Sequence, residues 1–228
     1  MAFDADGAMA RYLELRRAEP DLFRNPAGGI EILLAPPAIE AARKHARDVR
    51  AAAGQDTSDL RAGLLAHDPY MTIVRDAVRF PDGSMGLHNR IVERRSVAVL
   101  PLLDGDPVII RTFRHGLRDW SLEFPRGAVE GSESREDAAR RELKEEIGAN
   151  VVALTSVGDF TPGGSSLSII SSLYVARIDG FGAPQRAEAI AEVRAVPVGE
   201  LEELIVSGEI IDGFTLSLFA RARLRGLV

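Results

Sequence analysis

Between Gly127 and Gly148 the chain reads GAVEGSESREDAARRELKEEIG, and Glu133, Glu136, Glu142, Glu145 and Glu146 crowd into a segment patterned as a helix. A helix turns about 100° per residue, so Glu142, Glu145 and Glu146 fall on one face. Like charges that close repel each other. They are tolerated where water solvates them or where a cation sits between them. Hard divalent cations take oxygen ligands, and Mg2+ is usually held by a few carboxylates together with substrate phosphates. Arg141 adjoins Glu142 and lies one turn before Glu145, placed to pair with and orient a carboxylate. Gly127 and Gly131 allow a loop whose backbone approaches a ligand closely. On charge pattern alone, an acidic helix interleaved with Arg and Lys also reads as a solvated face.

The elements that must position these groups are legible nearby. Ala139, Leu143 and Ile147 recur every four residues and supply an apolar stripe to seat the helix on a core. Ser134 followed by Asp137 reads as a capping-box helix start, with Asp in place of Glu, and Gly148 as a helix stop. The order of the residues resembles the Nudix box: Gly, five residues, Glu, seven residues, Arg-Glu, an aliphatic, any residue, Glu-Glu, any residue, Gly, an aliphatic. Here those positions are Gly127, Glu133, Arg141, Glu142, Leu143, Glu145, Glu146, Gly148 and Ala149. Every fixed position matches, and only Ala149 is smaller than the usual aliphatic.

The resemblance implies a hydrolase that uses Mg2+ or Mn2+ to cleave a diphosphate linked to a nucleoside. The metal ligands it implies are Glu142, Glu146, Glu145, Glu133 and the backbone carbonyl of Arg126, the residue before the box glycine. Arg141 holds the carboxylates, and Glu145 is the first candidate for activating water. Outside the box, RTFR (111–114) resembles the Gln-Tyr-Arg-like segment of ADP-ribose pyrophosphatases, which places Arg114, and less directly Arg111, at substrate phosphate. Arg suits phosphate because its planar fork donates two parallel hydrogen bonds. WSLEFPR (120–126) resembles the Leu-Glu-x-Pro-Ala-Gly stretch of that branch, with Arg126 in place of Ala. It adds Glu123, Arg126 and Gly127 as substrate contacts. DFTPGGSSL (159–167) resembles the loop where that branch carries a catalytic Glu, and Leu167 stands at that position. Glu188 and Glu192 are alternatives if their loop folds over the site, and equally read as surface residues. Trp120, Phe113 and Phe160 read as base-stacking rings or, more commonly, as core.

The chain has 228 residues, 46% of them hydrophobic, enough for one large domain or one domain with an extension. It lacks cysteine, which excludes a disulfide scaffold and thiol catalysis and fits a cytoplasmic setting. Neither a secretory leader nor a run long enough to span a bilayer is apparent. A formal net charge of −6 argues against long nucleic acid as a ligand, while a small phosphorylated compound needs only a few local arginines.

Residues 1–69 read as an N-terminal extension: a helix over 8–19, a strand over 29–34 and a helix over 37–53. Residues 70–95 read as a β-hairpin turning at Pro81-Asp82-Gly83. By resemblance the hairpin builds a homodimer, and the alternative is a hairpin packed on its own chain. Residues 96–228 read as the Nudix domain, an α/β/α sandwich around a mixed sheet. Strands are expected at 96–102, 108–113, 151–157, 167–176 and 192–198, and helices at 201–207 and 215–224. The best substrate reading is ADP-ribose or an ADP-sugar, giving AMP and a sugar phosphate. The alternative is a non-catalytic nucleotide sensor.

Overall fold

The computed structural model describes residues 5–183 and 186–228. In chain order its elements are α1 (Ala5–Ala18), β1 (Glu31–Ile32), α2 (Pro36–Ala52), β2 (Gly63–His67), β3 (Met71–Arg79), β4 (Met85–Glu93), β5 (Ser96–Leu103) and β6 (Asp106–Arg114). They continue with β7 (Asp119–Glu123), β8 (Arg126–Ala128), α3 (Arg135–Ile147), β9 (Val151–Phe160), β10 (Leu167–Ser168), β11 (Ser171–Ile178), β12 (Ile190–Ala195), α4 (Val198–Val206) and α5 (Gly213–Leu224). Short 3-10 turns cover Pro20–Phe23 and Arg186–Glu188. No helix among the described residues is long and apolar enough to cross a membrane.

The chain forms two compact units. The first comprises the described residues of Met1–Glu93 with Gly163–Ser168. Its centre is the expected hairpin: β3 and β4 pair antiparallel from Met71↔Glu93 to Arg79↔Met85. The turn passes through Gly83 at φ 85°, a conformation glycine adopts without strain. β1 and β2 both pair with β3, and β10 adds parallel to β4. Tyr12, Phe23, Leu64 and Val74 form one apolar cluster, and Leu33, Ala42, Ala62 and Ala77 another. A buried polar knot pins α1 to the hairpin. The Tyr12 hydroxyl donates to Asp76, and Arg90 donates to the same carboxylate and, at 2.9 Å, to the carbonyl of Leu22.

The second unit comprises Arg94–Pro162 and the described residues of Ile169–Val228. Its sheet runs β12-β6-β5-β11-β9, with β7 on β6 and β8 on β5. β5 and β11 pair in parallel at its centre, and β11 and β9 antiparallel. Strand alternation decides which face each side chain meets. Ala98, Leu100, Ile109, Leu173 and Val175 face α4 and α5, burying Leu201, Leu218, Phe219 and Ala222. Val97, Val99, Val108, Ile110, Tyr174 and Ala176 face α3 and bury Ala138, Ala139, Leu143 and Ile147. The layers are helix, mixed sheet and helix.

Two local expectations change, and one segment left unassigned gains strands. The strand expected over 29–34 shrinks to β1; one further backbone bond runs from Leu33 to Ala77 before Pro36 and Pro37, which supply no N–H for a ladder, open α2. The strand expected over 167–176 divides at Ile169–Ile170, because β10 registers on Ile91 of β4 while β11 registers on Ser96 of β5. The motif segment 119–128 holds two short strands, β7 and β8, separated by Phe124-Pro125.

Candidate active site

α3 is the frame. The Ser134 side chain accepts from the Asp137 N–H at 3.0 Å, and Gly148 closes the helix in the left-handed region at φ 68°. Ala139, Leu143 and Ile147 are fully buried, as their spacing predicts. Seating that stripe on β5 turns Glu142 and Glu146 inward, each only 8% exposed, towards β8. β8 meets them with backbone. The Arg126 N–H donates to Glu146 Oε2 at 3.1 Å. A Cβ added at Gly127 would collide with the Glu142 carboxylate, so only glycine leaves room for it there.

Arg141 is the organiser that the spacing suggested. Nη1 donates to Glu142 Oε1 and to Glu145 Oε2, each at 2.8 Å. Nη2 donates to Glu133 Oε1 at 2.8 Å and to the Ala128 carbonyl at 2.7 Å. These bonds, led by the one to Glu133, raise Arg141 further above its ordinary range, and Arg141 holds Glu133 below the usual carboxylate range.

The inward pair behaves differently. Burial raises Glu142, with Arg141 partly offsetting it. Burial, then the charge of Glu142, pushes Glu146 up to about 8. Glu188, just before β12, adds its negative charge to both. It bears on the site although its position in the sequence left it open between a site and a surface role. Glu192 pairs on β12 with Arg194 at 3.5 Å. Leu167 lies in β10, in register with Ile91.

Behind Glu146 lies a second charged group. Arg114, at the end of β6, pairs with the buried Glu123 of β7. Arg126 lies 3.8 Å from Glu123 and 3.6 Å from Asp212, with its guanidinium 4.6 Å from the Phe214 ring centroid. Burial and then the neighbouring Arg126 lower Arg114 to about 10. Arg111 stands apart, on the other face of the strand, with its guanidinium 4.7 Å from the Trp120 ring centroid. Trp120 is 41% exposed and meets Phe113 edge-on. The described residues thus bring Glu133, Glu142, Glu145, Glu146, Arg141, Arg126, Gly127, Glu123 and Arg114 together, and leave Arg111 outside.

Asp212 and Thr215 were not anticipated. Asp212 caps α5 by accepting from the Thr215 N–H and hydroxyl, both at 2.8 Å, and the same hydroxyl accepts from the Phe124 N–H at 2.9 Å. The Asp-x-x-Thr cap pattern was available in the sequence; its contact with Phe124 was not.

Residues 92–213 match the model of the NUDIX domain. The chain belongs to the Nudix family. This Nudix protein is 27% identical over 125 residues to the ADP compounds hydrolase NudE of Escherichia coli (strain K12), covering 54% of this chain and 67% of that one. It is 28% identical over 142 residues to the ADP-ribose pyrophosphatase of Bacillus subtilis (strain 168), covering 60% and 77%. A crystal structure of an ADP compounds hydrolase shares the fold at a TM-score of 0.64 and 23% identity, over 73% of this chain and 92% of that one. The Nudix chain described here is a pyrophosphohydrolase.

Proposed function

We propose that this Nudix enzyme hydrolyses the diphosphate of an ADP-linked compound, ADP-ribose or an ADP-sugar, to AMP and a sugar phosphate. One observation carries the reading: two buried carboxylates, Glu142 and Glu146, are held side by side under Gly127 by a frame of backbone and arginine. The activities named for the two relatives, on ADP compounds and on ADP-ribose, support this choice of substrate class.

A divalent ion, Mg2+ or Mn2+, fits this donor set. Among the described residues no three acidic or histidine side chains converge as a ready-made cage. Mg2+ does not need one, since one or two carboxylates with substrate phosphates suffice. Two buried, mutually repelling carboxylates are the groups a cation relieves. Glu142 and Glu146 would hold it, assisted by Glu145, Glu133 and the Arg126 carbonyl. When bound, the ion neutralises charge on the diphosphate and acidifies water.

The chain's own residues do the rest. Arg141 fixes Glu133, Glu142 and Glu145. Arg114 and Arg126 donate to the phosphate that departs. Glu188 accepts the proton of the attacking water, because Glu145 is engaged with Arg141 while the charge of Glu188 is felt by both inward carboxylates. Water attacks one phosphorus in line and the other phosphate leaves. Catalysis belongs to residues 96–228; residues 1–69 form an extension, and the hairpin 70–95 serves pairing of two copies.

The test is phosphate release, coupled through a phosphatase, across ADP-ribose, ADP-glucose, GDP-mannose, NADH, diadenosine polyphosphates and nucleoside triphosphates with Mg2+ and with Mn2+. ADP-linked compounds should lead. Glu146→Gln should remove most turnover with the fold intact. Glu188→Gln should lower kcat about 10^2- to 10^4-fold with Mg2+ binding retained. A Glu188→Gln enzyme with normal kcat would return the base role to Glu145.

A further inference from the structure

Three non-glycine residues among those described hold a positive φ: Asp104 at 53°, Arg118 at 56° and Ala189 at 56°. Two have an ordinary cause. Asp104 and Gly105 are the central residues of the tight turn between β5 and β6, a kind of turn that takes positive φ at both. Arg118 closes the turn between β6 and β7. Ala189 lies in no hairpin. It joins the 3-10 turn Arg186–Glu188 to the start of β12. Alanine has no polar side chain to ease this conformation, as Asn or Asp has, so its surroundings must hold it there. Residues kept in such a conformation cluster at functional sites, where they preorganise a neighbour.

The restraints lie on the strand side of Ala189. Its carbonyl accepts from the Phe113 N–H of β6 at 3.0 Å. The next residue, Ile190, pairs with Thr112 and is only 2% exposed. Ile190 belongs to the same apolar cluster as Ala139, Leu143 and Ile147, the stripe that seats Glu142 and Glu146. An extended Ala189 would prolong the β12 ladder along β6. The left-handed one instead turns the chain out of the sheet directly before this anchor, and the first side chain beyond the turn is that of Glu188. The charge of Glu188 is felt by both inward carboxylates. The Ala189 side chain is itself exposed, so what the residue contributes is backbone direction.

We propose that Ala189 is a positioning residue: its left-handed backbone, pinned by Phe113 and the buried Ile190, aims the Glu188 carboxylate at Glu142 and Glu146. The proposal rests on the reading of Glu188 as the group that accepts the proton of the attacking water. Position 189 then tolerates a residue according to its ease in the left-handed region, whatever its size or polarity.

The test substitutes residues that differ in that ease. Ala189→Val is β-branched and disfavours the left-handed region, whereas Ala189→Asn and Ala189→Gly accept it. With ADP-ribose and Mg2+, Ala189→Val should lower kcat roughly 10- to 10^2-fold while KM and Mg2+ affinity stay near wild type. Ala189→Asn and Ala189→Gly should keep most of the turnover. A loss of the same size in all three variants, or none in Ala189→Val, overturns the proposal. A double-mutant cycle separates aiming from general damage. On a Glu188→Gln background Ala189→Val should cost nothing further, and an undiminished loss there overturns the proposal. Ala189→Leu, bulky without the β-branch, replaces the Val variant if that one melts too low to assay. If Glu188→Gln keeps normal kcat, or the wild type turns over no compound, the reading beneath fails separately and crystal structures decide the geometry. Glu188 should be displaced from Glu142 and Glu146 in Ala189→Val and in place in Ala189→Asn. An undisplaced Glu188 in Ala189→Val overturns the proposal.

Discussion

Gly127→Ala is the most discriminating perturbation of the carboxylate pair. The backbone of Gly127 does not lie in the left-handed region, so alanine costs no backbone strain. The cost is steric and local, because the new methyl group would overlap the Glu142 carboxylate at three of its atoms. Real Cβ contacts essentially never fall below 3.0 Å, so the carboxylate must retreat by on the order of 1 Å, the scale of misplacement that costs about 10^2-fold in rate. Retreat also strains the 2.8 Å bond from Arg141 to Glu142. The obstacle is the far end of a flexible side chain, so the fold should lose only about 1 kcal/mol, in the range of ordinary point substitutions. The assay pairs Mg2+ titration by calorimetry with steady-state turnover of ADP-ribose and a thermal melt. The expected outcome is a drop of roughly 10^2-fold in kcat, weakened Mg2+ binding and a nearly unchanged melt. Wild-type turnover with normal Mg2+ affinity would refute the placement of Glu142 as a ligand. A collapsed melt would refute the claim that Gly127 serves the site rather than the fold.

Other outcomes follow from the same geometry. Glu146, pushed up to about 8, must lose its proton to bind Mg2+, so Mg2+ affinity should rise about tenfold per pH unit up to about pH 8 and then level off, read by calorimetry. Without metal the sign reverses for stability: the protonated form suits the buried site, so stability present below about pH 4.5 declines as the pH rises through about 8. Asp76→Ala leaves the largely buried Arg90 without its carboxylate and should destabilise the first unit by about 3–5 kcal/mol in a denaturant titration. Thr215→Val strips the buried Phe124 N–H of its acceptor and should cost about 1–3 kcal/mol by the same titration.

What could be read from the sequence was what is local. The box, the cap at Ser134, the stop at Gly148 and the stripe of Ala139, Leu143 and Ile147 lie within one helix and its flanks, where spacing alone sets which face a residue occupies. The β3–β4 hairpin was legible for the same reason. Contacts across the chain were not. Thr215 reaches Phe124 over a separation of 91 residues, and Arg126 meets Asp212 only because β8 and the start of α5 approach each other. RTFR offered both Arg111 and Arg114 for phosphate, with Arg114 preferred only by resemblance. Strand alternation sends one to Trp120 and the other to Glu123, and nothing in the four letters says which face holds the site.

The asymmetry between the two inward carboxylates has a structural cause. Glu142 accepts from a guanidinium that also holds Glu133 and Glu145, so its charge is compensated before any ligand arrives. Glu146 accepts from a neutral backbone N–H, and the nearest guanidinium whose charge reaches it, Arg114, is bonded to Glu123. Burial therefore weighs more on Glu146, whose carboxylate also lies deeper in the protein than that of Glu142. A carboxylate left short of positive charge in this way gains most from a cation. The frame that fixes it, β8 tied through Phe124 to α5, also lines a cavity with Arg126, Asp212 and Gly213. Two contacts therefore meet at a single residue, Arg126, whose N–H holds Glu146 and whose guanidinium lies between Glu123 and Asp212.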